Sequence, residues 1–299
     1  MAKQTKLTTP PILPPAPKAA PPAPPAAPSA PAPTQGSGKN PRTTIPSPVD
    51  FTIGTGIHSG AARIGVYGPG GIGKSTLAAY LPAPLFIDLE HGTRRMNVAR
   101  IEDIRDFATL RGALASIASN PPAGVKSIVI DSLSVVEEMV KDHVVATRKT
   151  EKGLAVDGIE GFGFGKGWNH VYDEQLAFFA DLDRLVDRHG LNVCCIAHEC
   201  TSFAPNPYGE DFLRYEPHLY NGDKRERSST RKFFRNWVDE LLFIGYDVHV
   251  QDGKGQGAGT RTVYTSELPT HMAKSRTNPT STPFILSSAA AIWKSLGVS

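Results

Sequence analysis

Short apolar runs alternate with segments of helical periodicity over most of this chain. The runs that are continuous enough to be buried strands are Arg63–Tyr67, Leu85–Asp88, Ser127–Asp131 and Asn192–Ala197. Between them, apolar residues recur at helical spacing near 106–118, over 134–147 and over 171–189. This alternation predicts an α/β fold in which a mostly parallel sheet is flanked by helices.

The later connections predict a less regular arrangement. Residues 152–168 form a long glycine-rich connection, and residues 199–230 predict an irregular polar loop interrupted by prolines. Two late strands at 238–246 and 262–266 predict a hairpin near the end of the sheet, joined by the flexible segment 252–257. A short helix is expected at 289–296.

The turn after the first strand carries a motif for phosphate chemistry. The octapeptide Gly68-Pro69-Gly70-Gly71-Ile72-Gly73-Lys74-Ser75 matches the P-loop pattern G-x-x-x-x-G-K-[ST]. Because a strand precedes it and the helical segment 76–81 follows, its backbone N–H groups can converge on phosphate oxygens. We therefore expect these residues and Thr76 to bind ATP, with Lys74 on the β- and γ-phosphates and the Ser75 hydroxyl on Mg²⁺.

Strand-end acids complete the predicted site. Asp131 ends a buried strand, where it can hold Mg²⁺ or cap the helix that begins at Ser132. In AAA+ ATPases a catalytic Glu usually follows this Asp, but Ser132 stands here, so the base must come from elsewhere. Glu90, beyond the second strand, is the candidate for orienting the attacking water; the alternative is a solvated acid. Asp88 shares a face with Glu90 only if that strand continues past it.

The first 50 residues differ in composition from the rest. They hold 15 of the 26 prolines and no aromatic residue, which predicts a disordered, semi-stiff tail before a domain at 51–299. Five basic residues against Asp50 give this tail a charge of +4, whereas the whole chain carries +3. The basic charge therefore does not indicate a nucleic-acid groove in the folded part. The tail is a candidate for binding an unidentified partner protein.

Composition also predicts the compartment. No apolar run approaches the length of a membrane span, and the three cysteines form no disulfide framework, so we expect a cytoplasmic protein. Cys194, Cys195, His198 and Cys200 resemble a metal cluster in spacing only. Because Cys194 and Cys195 lie in a predicted strand, they should face opposite sides of the sheet, which favours structural cysteines.

The motifs together resemble a known family. The P-loop, Glu90 in an Ile-Asp-x-Glu-His context and Val-Ile-Asp131-Ser, in that order, resemble the RecA-type ATPase core. More narrowly, residues 60–285 are similar to phage-encoded RecA-like ATPases of the single-strand-annealing and recombination type. The resemblance implies ATP hydrolysis with Mg²⁺ by a ring or filament of identical subunits on single-stranded DNA, in the cytoplasm of a bacterial host.

The same resemblance implies roles for three further residues. His198, in the segment 192–199, occupies the position of the γ-phosphate sensor. Lys274 and Arg276 lie where RecA-type subunits reach across to the neighbour's γ-phosphate, and such a cation would stabilise the transition state. The alternative for Lys274 and Arg276 is a solvated, basic strand end.

Two connections match the DNA-facing loops of RecA-like recombinases, 152–168 and 199–235. The first carries residues suited to stacking on bases: Phe162, Phe164, Lys166 and Trp168. The second carries a basic cluster suited to the phosphate backbone: Lys224, Arg225, Arg227, Arg231, Lys232 and Arg235. The alternatives are solvated loops and, for the aromatics, a hydrophobic cover on the core.

Two other functions fit the motifs. One is a non-catalytic, ATP-gated adaptor that recruits partners through its tail, and the other is a P-loop kinase. An Arg-rich lid of the kinase type does not stand out. A GTPase is disfavoured because the sequence lacks an Asn-Lys-x-Asp motif.

Overall fold

The computed structural model describes residues 53, 55, 60–222, 228–247, 249–251, 254–256, 259–277 and 283–298. The predicted tail at 1–50 lies outside the described residues, so both the tail and the domain boundary stay predictions. Lys224, Arg225 and Arg227 of the expected basic cluster also lie outside them.

The described chain contains thirteen strands and six α-helices. The strands are β1 Arg63–Tyr67, β2 Pro84–Asp88, β3 Ala99–Ile101, β4 Ser127–Asp131, β5 Asn192–Ala197, β6 Glu199–Ala204, β7 Phe212–Pro217, β8 Glu240–Tyr246, β9 His249–Gln251, β10 Lys254–Gln256, β11 Arg261–Tyr264, β12 Lys274–Ser275 and β13 Phe284–Ile285. The helices are α1 Lys74–Ala78, α2 Phe107–Ser119, α3 Leu133–Thr147, α4 Lys166–His189, α5 Thr230–Trp237 and α6 Ala289–Ser295. Short 3₁₀ turns occupy Ile159–Phe162 and Leu286–Ser288.

The central sheet has the strand order β13-β11-β8-β1-β5-β4-β2-β3. The six strands from β8 to β3 are parallel, while β11, β12 and β13 pair antiparallel at the other end. The expected fold class, a mostly parallel α/β sheet with late antiparallel strands, is therefore confirmed. Because β1, β2, β4 and β5 are parallel, their carboxyl ends meet at one edge, where Asp88 lies opposite Asp131.

Helices cover both faces of this sheet. One apolar cluster joins α2, α3 and α4 to residues such as Ile130 and Cys195, and the other joins α1 and α6 to residues such as Val129 and Cys194. Consecutive strand residues therefore point to opposite faces. Cys194 and Cys195 are fully buried in different clusters, as the alternation predicts.

Two helix boundaries differ from expectation. The helix predicted from residue 171 begins at Lys166, because Gly163 and Gly165, both at φ 72°, turn the chain into its first turn. The helix after the P-loop was expected through residue 81 but ends at Ala78. Leu81 then donates its N–H to Ala78 O, a bond of the i−3 kind rather than the α-helical kind.

The prediction of an irregular loop at 199–230 is wrong. Strands β6 and β7 form an antiparallel hairpin that pairs Glu199 with Pro217 and Ala204 with Phe212. The prediction failed because these strands leave the central sheet and bury few side chains, so they lack the apolar runs that mark a core strand.

The late hairpin is confirmed as the antiparallel pair β8 and β11. The segment expected to be flexible at 252–257 contains strand β10, which pairs with β9, whereas residues 252, 253 and 257 lie outside the described part. Strands β3, β12 and β13 were not predicted, because runs of two or three residues carry no readable periodicity.

Candidate nucleotide-binding site

The P-loop follows β1 at the carboxyl edge of the sheet. Gly68, Gly71 and Gly73 have φ values of 151°, 71° and 112°, which side chains disfavour. A Cβ on Gly68 would lie 2.2 Å from the Ile244 carbonyl oxygen. The glycines of the motif therefore serve this backbone path, with Gly68 packed directly against β8.

The P-loop lysine lies folded against its own loop. The buried Lys74 ammonium donates to Gly68 O at 2.8 Å and to Pro69 O at 3.0 Å. Burial lowers the pKa of Lys74, and the negative charges of Glu199, Asp131 and Glu90 oppose that shift. These three carboxylates therefore favour the charged form of the ammonium at the N-terminus of α1.

The two predicted Mg²⁺ ligands are in direct contact. The Ser75 hydroxyl donates to Asp131 Oδ2 at 2.7 Å. Burial raises the pKa of Asp131 to about 6; the Ser75 hydrogen bond and Lys74 oppose this, while Glu90 and Asp88 add to it. A hydroxyl and a carboxylate in a negative field are the oxygen ligands that a hard divalent cation prefers.

Glu90 lies next to this pair. Its Oε1 is 2.8 Å from His198 Nε2 and accepts a hydrogen bond from the Ser132 hydroxyl. Ser132 follows Asp131 through a cis peptide bond and stands where AAA+ ATPases usually carry their Glu. The structure therefore brings Glu90, from the turn that follows β2, to the carboxyl end of β4.

Asp88 does not join this group, because β2 ends at Asp88 and the chain turns. Its carboxylate accepts hydrogen bonds from Gly92 N at 3.0 Å and Thr93 N at 2.9 Å. Burial raises the pKa of Asp88, but the bonds from Thr93 and Gly92 outweigh burial, so the net shift is downward. Asp88 thus closes the turn that follows Glu90.

Comparison with known families decides the relationship. Residues 61–277 match the family model described as an AAA domain. The chain belongs to the AAA domain family. It is a nucleotide-binding domain of the P-loop ATPase type.

A search of curated proteins gave no significant match to this AAA domain. Among solved structures, it is similar to the crystal structure of the RadB recombinase. The two chains share 12% identity with a TM-score of 0.38, over 76% of this chain and 86% of the other.

Lys274 and Arg276 lie away from the P-loop of their own chain. Strand β12 places Lys274 opposite Leu241 and Ser275 opposite Glu240, at the start of β8. Because β8 runs parallel to β1, this is the amino edge of the sheet, whereas the P-loop lies at the carboxyl edge.

Both cations have partners there. Lys274 Nζ donates to Arg235 O at 2.7 Å, and burial lowers its pKa to about 8. Arg276 pairs with Asp239 at 2.7 Å and donates to Asn236 O at 2.9 Å. Within one chain these contacts tie the segment to the end of α5, so a role at a neighbour's site stays a prediction.

The first expected DNA loop divides into buried and exposed parts. Phe162 is buried in the core, which supports the hydrophobic-cover alternative for this residue. Trp168 lies in α4 and stacks on Tyr220 with ring centroids 3.7 Å apart, and Lys166 pairs with Glu151 at 2.6 Å. Phe164 is fully exposed at φ 49°, between two glycines of positive φ.

Part of the expected basic cluster in the second loop is structural. Arg231 is buried, pairs with Glu216 and donates to Leu219 O at 2.8 Å, so it cannot reach a DNA backbone. Arg235 pairs with Glu267. The Lys232 side chain is exposed. The backbone N–H of Lys232 donates to the Ser229 hydroxyl at 3.2 Å, which caps the N-terminus of α5.

Sequence reasoning missed how α3 holds the β6–β7 hairpin. The Ser134 hydroxyl accepts the His198 N–H at 3.1 Å and donates to His218 O at 3.1 Å. One hydroxyl on α3 therefore holds both ends of the hairpin, directly beside the Glu90–His198 contact. No sequence signal distinguishes this serine from others at the start of a helix.

Two negative findings apply to the described residues. They contain no helix long and apolar enough to cross a membrane. They also contain no cluster of three His, Cys, Asp or Glu side chains that could hold a metal ion on its own.

Proposed function

We propose that this AAA domain hydrolyses ATP with Mg²⁺ as a RecA-like ATPase on single-stranded DNA, in phage recombination, repair or replication. The observation that carries the proposal is the position of Glu90, held by His198 and Ser132 beside the Ser75–Asp131 pair. A second acid at this point would be placed to act on the attacking water.

The metal part of the proposal rests on Ser75 and Asp131. Burial and the neighbouring carboxylates raise the pKa of Asp131 to about 6, so a nearby cation would favour its ionised form. A bound Mg²⁺ would supply positive charge against the negative charge that develops on the phosphates during hydrolysis. Ser75 and Asp131 would hold it, and Lys74 would turn from the loop carbonyls toward the phosphates.

The hydrolytic part rests on Glu90. Its Oε1 is engaged by His198 and Ser132, which orients the carboxylate. A carboxylate fixed in this way orients water and accepts its proton during attack on the γ-phosphate. His198, joined to it at 2.8 Å, would report the state of the γ-phosphate to β6.

The DNA part rests on exposed aromatics beyond His198. Phe203 is 73% exposed and Tyr208 is 98% exposed on the β6–β7 hairpin, and Phe164 is exposed at the start of α4. Bases of single-stranded DNA stack on exposed aromatic rings without sequence preference. Lys232 adds an exposed positive charge on helix α5.

The assembly part rests on Lys274 and Arg276. At the amino edge of the sheet they cannot serve their own P-loop, so they would act on a neighbouring subunit. We therefore propose a homo-oligomer in which the γ-phosphate lies between subunits. Turnover per subunit should then rise with protein concentration.

The decisive experiment measures ATP turnover with and without oligo(dT). Wild type should hydrolyse ATP and be stimulated by DNA, Glu90→Gln should bind ATP without turnover, and Lys74→Ala should lose binding. Phe203→Ala and Tyr208→Ala should lose the stimulation alone, whereas the ring-retaining Phe203→Tyr and Tyr208→Phe should keep it. Binding without turnover in the wild type would refute the enzyme and favour an adaptor, and phosphate transfer to a small acceptor would favour a kinase.

A further inference from the structure

A concave surface adjoins the P-loop on the side away from Asp131. It is a groove of about 390 Å³ between α1, the start of β11 and the turn after β13. Its walls include Thr76, Tyr80, Thr260, Arg261, Ile285 and Ser287. None of these residues except Thr76 belongs to the motifs described above.

The groove is continuous with the P-loop. Gly73 is the last glycine of the loop. A Cβ on Gly73 would lie 2.7 Å from Leu286 Cδ2, which is too close, and 3.6 Å from Arg261 Nη1. Leu286 and Arg261 both line the groove. The groove wall therefore touches the residue that directly precedes Lys74.

The order of the strands indicates which part of a bound nucleotide would lie in this groove. Asp131 ends β4, two strands from β1 on one side, and Arg261 begins β11, two strands from β1 on the other. Ser75 contacts Asp131, so the metal and the terminal phosphate lie on the β4 side. A triphosphate bound by the P-loop must then carry its nucleoside toward the β11 side.

The groove also has the chemistry for a nucleoside. Tyr80 is 56% exposed and Ile285 is 57% exposed, so a phenol ring and an aliphatic side chain on the groove wall are both open to a ligand. Arg261 forms no ion pair with another described residue, and its guanidinium lies at the end nearest the P-loop. Sites of this kind combine apolar walls with a few polar groups that orient the ligand.

We propose that this groove binds the base and ribose of the nucleotide, with Tyr80 stacking on the base. The inference rests on the proposed function, because it requires the P-loop to hold a triphosphate. Ile285 would add an apolar contact to the base, and Arg261 would supply positive charge where nucleoside and phosphates join. Recognition by stacking sets the affinity for nucleotide over bare polyphosphate.

The test compares ATP with inorganic tripolyphosphate, both with Mg²⁺, by titration calorimetry on the full chain. Tyr80→Ala should weaken ATP binding about tenfold, since loss of one base–aromatic stack costs of that order. It should leave tripolyphosphate affinity within about twofold of wild type. Tyr80→Phe, which keeps the ring, should restore ATP binding, and Leu154→Ala, at an exposed residue far from the groove, should change neither ligand.

The outcomes separate the two proposals. If Lys74→Ala binds both ligands as the wild type does, the P-loop function fails. If Lys74→Ala loses both ligands but Tyr80→Ala binds ATP as the wild type does, the groove does not hold the nucleoside. Equal loss of ATP and tripolyphosphate in Tyr80→Ala also overturns the groove, because the residue would then act on the P-loop itself.

Discussion

Replacing Asp131 by Asn should stabilise the nucleotide-free protein while removing its response to Mg²⁺. Asp131 is 5% exposed, and its pKa rises from 3.8 to about 6, first because of burial and then because Glu90 and Asp88 are close. A difference of that size corresponds to about 3 kcal/mol against the ionised form in the folded state. Asn lacks that charge and keeps an oxygen that can accept from Ser75.

The sign of the pH dependence follows from the raised pKa. The folded state holds the Asp131 proton more tightly than the unfolded state, so wild-type stability falls as pH rises from about 4 to about 6. Above pH 6 the full cost applies, and below pH 4 it vanishes. The Asn variant should therefore gain most at pH 8, by up to about 3 kcal/mol, or about 5 to 10 °C in Tm for a folded region of this size.

Thermal unfolding in EDTA at pH 4 and pH 8 measures this effect. Asp142→Asn, at an exposed carboxylate on α3, is the matched control and should shift Tm little at either pH. Adding Mg²⁺ and ATP should raise the Tm of wild type far more than that of Asp131→Asn. A lower Tm for Asp131→Asn at pH 8, or a gain equal at both pH values, would refute the electrostatic reasoning.

Two further changes test the fold beneath the site. Gly68→Ala should destabilise by several kcal/mol in chemical denaturation, because its Cβ would meet Ile244 O at 2.2 Å, whereas Gly70→Ala, with open space, should stay within about 0.5 kcal/mol. Arg231→Met should cost about 1 to 3 kcal/mol, because the buried Glu216 loses one of its two arginine partners and keeps Arg214, and Lys232→Ala should be nearly neutral. Equal effects within either pair would contradict these readings.

The sequence predicted the central sheet because its strands are buried on both faces. Ser127–Asp131 is buried at every position, so a continuous apolar run marked it without any tertiary information. The P-loop and Asp131 could be predicted for the same reason, because the P-loop directly follows the end of β1 and Asp131 is the last residue of β4. Glu90 followed from its place after β2, although its contact with Ser132 did not.

What the sequence could not predict depends on partners far along the chain. The sequence around Arg231 suggests an exposed charge, but the side chain is buried and pairs with Glu216 on β7. Phe162 and Phe164 are two residues apart in one glycine-rich segment, yet one lies in the core and the other in solvent. Neither periodicity nor charge separates such cases, because the deciding contacts form only after the sheet has assembled.

The serine hydroxyl that holds both ends of the β6–β7 hairpin connects the base of that hairpin to the Glu90 carboxylate. Ser134 bonds His198 N and His218 O, and the His198 ring lies 2.8 Å from Glu90 Oε1. The two six-residue strands extend about 20 Å from this point, and Tyr215 on β7 is held by backbone hydrogen bonds to Thr270 and Met272. A shift of His198 would therefore reach the base of the hairpin first, while the contacts of Tyr215 resist rotation of the hairpin as a whole.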